Sequence, residues 1–186
     1  MLNFRDFDRI RLFVHGRTQT PYGFSVGHID DFLCLAVARH MNWSSVRLDD
    51  VSQDYVMGRF GEIPSYALHI VCDFLYAVPE FQAGRVVVFD HHDPNFPVDK
   101  CSAHLLLEAL VEQGLYPEMP SLMWEISSWD VKGPQSIPVA HRPDQDKYTA
   151  LLGAEPEADG LGLVRFSRQD AEFVLGVLHS SNSLRD

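Results

Sequence analysis

Basic residues are scarce in this chain: fifteen Lys and Arg stand against twenty-six Asp and Glu, a net charge of −11 over 186 residues. Such a surface repels a polyanion unless cations intervene, which disfavours a duplex-coating role. Cysteine is scarce as well. Cys34, Cys72 and Cys101 make neither a disulfide framework nor a zinc ribbon, so reduced thiols are expected. Long apolar runs are missing, none approaching the eighteen or so residues of a membrane span, and no membrane partner is expected. The amino-terminal MLNFRDFDRI lacks the basic-then-apolar layout of a secretory signal, so the expected location is cytoplasmic. The sequence also holds no P-loop, no dinucleotide fingerprint and no His-Glu-x-x-His helix, and neither Ser44 nor Ser127 sits in a nucleophile elbow. Repeats and low-complexity tracts are absent too.

What is present has globular texture. Hydrophobic residues make up 46% and charged residues 22%, which sets aside disorder and coiled coil. Short apolar runs alternate with amphipathic stretches. Arg9 to Gly16 predicts a first strand, Val46 to Val51 a second, Ala67 to Phe74 a third and Arg85 to Phe89 a fourth. The last, RVVVF, is uninterrupted in its apolar character after Arg85, as suits a parallel strand buried on both faces. His28 to Asn42 predicts a helix from the spacing of Ile29, Phe32, Leu33, Ala36, Val37 and Met41. Ser102 to Gln113 predicts another, stopped by Gly114. Strands alternating with helices imply an α/β fold, a mostly parallel sheet with helices on both faces. Beyond Asp130 prolines recur at 134, 138, 143 and 156, and a final helix begins after Ser167. The expected division is a metal-binding α/β domain over 1–133 and a short helical extension over 134–186 packing on it.

The stretch RVVVFDHHDPNF carries the most chemistry. Its apolar strand ends abruptly in Asp90, His91, His92 and Asp93, at the sheet edge where open parallel sheets bind ligands. Carboxylate oxygen and imidazole nitrogen suit Mn²⁺, Zn²⁺ or Fe²⁺, whereas the bland alternative is a solvated turn after a strand. Three other places repeat the pattern. The first strand ends in His15, the following helix opens on His28, Asp30 and Asp31, and the third strand ends in Asp73. Carboxylates in a first turn also favour the positive end of a helix dipole, and for Asp31 that is the preferred explanation. Asp130 lies among apolar neighbours in WEISSWDVKG, where an unpaired carboxylate is expensive. His40, His69, His104, His141 and His179 have no spacing that suggests ligation, and Trp124 and Trp129 read as core anchors before stacking platforms.

These residues resemble the DHH phosphoesterase superfamily, which includes RecJ-type nucleases, oligonucleotide phosphodiesterases and family II inorganic pyrophosphatases. The strand ending in Asp90-His91-His92 is similar to its signature motif. The His-x-Asp of His28 and Asp30, with Phe96 close behind the Asp-His-His, is similar to the Myg-type exonuclease branch. The similarity spans residues 9 to 130. It implies a DHH-like domain with His15, His28, Asp30, Asp73, His91 and Asp130 as metal ligands, Asp73 bridging, and Asp90 and His92 as catalytic residues, His92 facing the substrate phosphate. The implied cofactor is a pair of Mn²⁺ ions, with Mg²⁺, Zn²⁺ or Fe²⁺ as alternatives. The implied activity is two-metal hydrolysis of a phosphodiester or phosphoanhydride in a small nucleotide, an oligonucleotide end or pyrophosphate. Short single-stranded nucleic acid is a candidate partner, an oligomer is compatible with the sequence, and Arg142 and Lys147 are candidate phosphate contacts. The alternative is a non-catalytic DHH-like module that binds metal or nucleotide. The long stretch between His15 and His28 favours it; the intact Asp73, Asp90-His91-His92 and Asp130 set opposes it.

Overall fold

The computed structural model describes residues 2–15, 19–20, 23–24, 29–48, 63–74, 76–95, 97, 99–132 and 168–179. In chain order the strands are β1 (Arg9–His15), β2 (Gln19–Thr20), β3 (Gly23–Phe24), β4 (Ser44–Leu48), β5 (Ala67–Cys72) and β6 (Val86–Phe89). The helices are α1 (Ile29–His40), α2 (Ser102–Glu112), α3 (Met123–Lys132) and α4 (Arg168–His179). Four strands form an all-parallel sheet in the order β4-β1-β5-β6, while β2 and β3 make a small antiparallel pair in the connection after β1. The chain has an α/β fold.

Alternation along each strand builds two cores. Ile10, Leu12 and Val14 of β1 and Leu68, Ile70 and Cys72 of β5 point to one face, where they pack with all four helices. Phe13, Ala67, Val71 and Val86 point to the other, where Ile63 and Tyr76 cover them. Among the described residues that second face also carries the short 3-10 helix Glu80–Gln82, whose Gln82 side chain accepts from the Tyr76 hydroxyl. On the first face α1 is buried all round, from Phe32 to Ala38. Its inner side meets the sheet, and α4 packs against it through a core that includes Ala171, Val174, Leu175 and Leu178. The third helix, α3, lies in a segment where the sequence pattern singles out Asp130, Trp124 and Trp129 but no helix.

The two faces fix where a ligand can sit. The connection leaving β1 carries α1 on the first face, whereas the connection leaving β5 places Tyr76 and Gln82 on the second. Neighbouring strands whose connections part to opposite faces leave a crevice beyond their carboxyl ends. Here those strands are β1 and β5, paired in parallel from Arg9↔Ala67 to Val14↔Cys72, and the residue after β5 is Asp73.

Candidate metal centre

Asp73 leaves the sheet with φ of 59°, in the left-handed region that only Asp73 and Asn42 enter among the described non-glycine residues. A residue held there costs of order 1–3 kcal/mol, less for Asp or Asn than for most side chains. The backbone N–H of Asp73 donates to the Phe89 carbonyl at 3.1 Å, which ties the end of β5 to the end of β6. The next residues along β6 are Asp90, His91 and His92. Their turn closes with the Asp93 N–H donating to the Asp90 carbonyl, and Asp93 spends a carboxylate oxygen on both the backbone and side-chain nitrogens of Asn95. The expected turn is therefore present, but it is not simply solvated, since Asp90 is fully buried.

His91 sits at the centre. Its Nδ1 lies 3.3 Å from Asp73 Oδ1 and 3.8 Å from Asp30 Oδ2, while its Nε2 lies 3.8 Å from Asp130 Oδ2. One imidazole thus joins carboxylates from β5's end, the first turn of α1 and the last turns of α3. His92 stacks against it with ring centroids 4.0 Å apart. Asp90 Oδ1 accepts from the His92 backbone N–H at 3.0 Å and contacts His92 Nδ1 at 2.8 Å. Carboxylate against Nδ1 places the proton there and leaves Nε2 free for chemistry at the rim, where the His92 side chain is 53% exposed.

The acids lie deep. Asp30 and Asp90 are fully buried and Asp31 and Asp73 nearly so. Asp30 Oδ2 accepts from the Ser102 N–H at 2.9 Å and Oδ1 from the Ala103 N–H. These are the first two residues of α2, so Asp30 caps that helix from α1 and faces its positive end. Even so, burial and then the Asp73 charge push the Asp30 pKa up from 3.8 to about 6, against the pull of its hydrogen-bond donors. Burial, then Asp73 and then Asp30, drive Asp31 well above the ordinary carboxylate range. Beneath them, burial also raises the thiols of Cys34, Cys72 and Cys101, which are fully buried and form no disulfide.

Two atom groups show that the cluster fits cations. Both carboxylate oxygens of Asp31, and Oδ2 of Asp90, are buried without a hydrogen-bond partner. A stranded buried acceptor is costly unless a proton or a cation meets it. Two sets of ligand atoms also converge within 4.8 Å of one another, one from Asp73, Asp90, His91 and His92, the other from Asp30, His91 and Asp130. Acidic oxygens with imidazole nitrogens are a donor set for a divalent transition metal, and these buried groups can hold a metal ion.

Asp30, Asp73, Asp90, His91, His92 and Asp130 of the expected site are brought together. Of His15 only the backbone is described, at the end of β1 beside Leu48 of β4. His28, Arg142 and Lys147 lie outside the described residues. Asp31, expected to serve the helix dipole, stands in the first turn of α1 as expected; its carboxylate oxygens make no capping hydrogen bond, and it lies outside both converging ligand sets. The signal for its burial was the run Phe32–Ala38, buried on every side, which leaves the first turn no route to water. His69 packs on Phe13 with ring centroids 5.0 Å apart, and burial followed by the Arg11 charge lowers its pKa to about 4, as suits a histidine outside the site. Trp124, expected in the core, is 51% exposed and meets His104 edge-on. Comparisons with protein-family models, with curated proteins and with solved structures find no match to this chain.

Proposed function

We propose that this chain is a metal-dependent phosphohydrolase of DHH type, holding two divalent cations, most simply Mn²⁺, and cleaving a phosphodiester or phosphoanhydride of a small nucleotide, an oligonucleotide end or pyrophosphate. The observation that carries the reading is the meeting of four chain segments at His91, with Asp73 and Asp30 on one edge of its ring and Asp130 on the other. Two cations bound there would supply polarisation of the phosphoryl oxygens and activation of a water molecule as nucleophile.

The chain's own residues account for the rest. Asp73 Oδ1 lies 3.3 Å from the His91 ring and 3.8 Å from the His92 ring, so it would ligate beside both imidazoles, while His91 is the residue that the two ligand sets share. Asp90 holds His92 by its ring and by its backbone N–H, so His92 presents Nε2 outward in a fixed orientation. A neutral imidazole so held accepts a proton at Nε2, and in the protonated form donates one to a leaving oxygen. Burial of Asp30, Asp31 and Asp90 excludes water from behind the cluster, which strengthens its pull on any bound cation. The net charge of −11 argues for a small phosphate substrate or a short strand end rather than a long duplex.

A hydrolysis screen over dinucleotides, short single-stranded oligonucleotides and pyrophosphate in added Mn²⁺ tests the reading. Turnover with at least one of them is expected, lost in chelator and in the His91→Ala variant while the variant stays folded. Activity that survives both treatments would overturn the assignment.

A further inference from the structure

The amino ends of β1 and β4 border an open cleft of about 570 Å³, at the opposite end of the sheet from Asp73 and His91. From Arg9 to His15 the strand β1 rises about 20 Å, so a small ligand in this cleft does not reach the metal centre. The ionisable residues lining it are Arg5, Asp8, Arg9 and Arg11, three cations to one acid. Over the whole chain acids outnumber bases twenty-six to fifteen, so this gathering of arginines runs against the composition. Among the described residues none of the three guanidinium groups forms an ion pair with a carboxylate. Phe7 and Trp43, both half-buried, line the same cleft. We infer that it binds a nucleoside polyphosphate, with the phosphates on Arg5, Arg9 and Arg11 and the base against Trp43 and Phe7.

The local structure holds these groups in place. Arg5 Nη2 donates to the Gly114 carbonyl at 3.2 Å and Arg11 Nε to Ser44 Oγ at 3.3 Å, while the Ser44 hydroxyl donates to the Ile10 carbonyl at 3.5 Å. A guanidinium carries five N–H donors, so each tether leaves four, in the fork that phosphate oxygens accept in pairs. On the aromatic side, α1 ends with Asn42 at φ of 57°. There the Asn42 N–H donates to the Arg39 carbonyl at 3.2 Å and the Trp43 N–H to the Ala38 carbonyl at 2.8 Å, a closure that fixes the backbone of Trp43. Phe4 braces the Trp43 ring in a T-shaped contact with centroids 5.7 Å apart. A bare inorganic anion would leave the aromatic side of the cleft idle, and an apolar ligand would leave the arginines idle. A flat ring carrying phosphates uses both. The volume falls in the range of small-molecule sites, roughly 300–1,000 Å³. The net charge of −11 opposes binding only weakly, because salt screens distant charges over about 8 Å.

The test is ATP binding by calorimetry on the full chain in chelator, which keeps cations off the metal centre, with thermal unfolding recorded for every variant. One ATP per chain is expected, with adenosine and tripolyphosphate each at least about tenfold weaker. Arg9→Gln removes an exposed guanidinium and should weaken ATP about tenfold, the size of one lost charge-assisted contact. Adding Arg11→Gln weakens it further. Trp43→Leu weakens ATP but leaves tripolyphosphate unchanged; if that variant fails to fold, Phe7→Leu carries the same comparison. His91→Ala, at the other end of the sheet, leaves ATP affinity as it is. No binding at millimolar ATP, or wild-type affinity in both Arg9→Gln and the double variant, would overturn the inference. Tripolyphosphate binding as tightly as ATP would overturn the nucleotide assignment. Affinity lost in His91→Ala and kept in Arg9→Gln would put the nucleotide at the metal centre and overturn the cleft.

Discussion

Substituting Asp30 by Asn isolates the electrostatic cost of assembling this site. In the metal-free protein the Asp30 carboxyl ionises at about 6 rather than 3.8, chiefly because burial removes its water and Asp73 adds a like charge. At 1.36 kcal/mol per tenfold change in acidity, that difference is about 3 kcal/mol. The native state binds the proton more tightly than the unfolded chain does. The stabilisation is therefore complete below pH 3.8 and is lost as pH rises through about 6. Asn removes the pH-dependent part. It also turns one NH₂ toward the N–H of Ser102 or Ala103, and stranding that buried donor costs roughly 1–3 kcal/mol at every pH. Asp30→Asn should accordingly be the less stable protein near pH 4, and the gap should close by up to about 3 kcal/mol by pH 7.5. Relief of Asp31, whose acidity Asp30 also suppresses, acts in the same direction. Urea unfolding followed by circular dichroism at pH 4, 5, 6 and 7.5, in metal-free buffer, reads this gap directly. A gap that stays constant or widens toward neutral pH would refute the reasoning.

Three further outcomes follow from the same geometry. Mn²⁺ at about a hundred times its Kd should stabilise the wild-type protein at pH 7.5 by about 2.7 kcal/mol, with chelator reversing it, and stabilise Asp30→Asn much less; urea midpoints check this. His92→Asn should retain Mn²⁺ binding, since the His91 contacts to Asp30, Asp73 and Asp130 remain, while turnover falls about 10²- to 10⁴-fold; paired calorimetry and rate assays separate the effects. Leu107→Ala, at a fully buried position of α2 in the core beneath the sheet, should cost about 2–5 kcal/mol of unfolding free energy without altering metal stoichiometry.

The sequence reading succeeded where one physical signal dominated. The run Val86 to Phe89 is apolar because it packs on both faces of the sheet, and the change to Asp90-His91-His92 marks the end of the strand although Asp90 itself stays fully buried, so strand and site were legible together. The apolar run within Arg9–His15 and the helical spacing after Ile29 were likewise strong enough to stand alone. Asp31 keeps the first-turn place the dipole explains, and what local pattern did not announce is the burial of α1 on all sides, which leaves that carboxylate without a hydrogen-bond partner. The helix Met123–Lys132 escaped because its composition, MWEISSWDVK, mixes polar and apolar residues without a clean stripe; its Ser127 meets the buried His104 and Cys101 rather than water. Those contacts escaped for a related reason. Their members lie more than twenty residues apart, and no local spacing predicts a hydrogen bond made across helices.

The central claim is that Asp30, Asp73, Asp90, His91 and Asp130 surround bound cations. Anomalous diffraction at the manganese edge, from crystals grown with Mn²⁺, tests it most directly. The account predicts two peaks beyond the ends of β5 and β6, each within coordination distance of His91 or Asp73. No peak there, with Mn²⁺ present in the crystal or bound elsewhere on the chain, would contradict it.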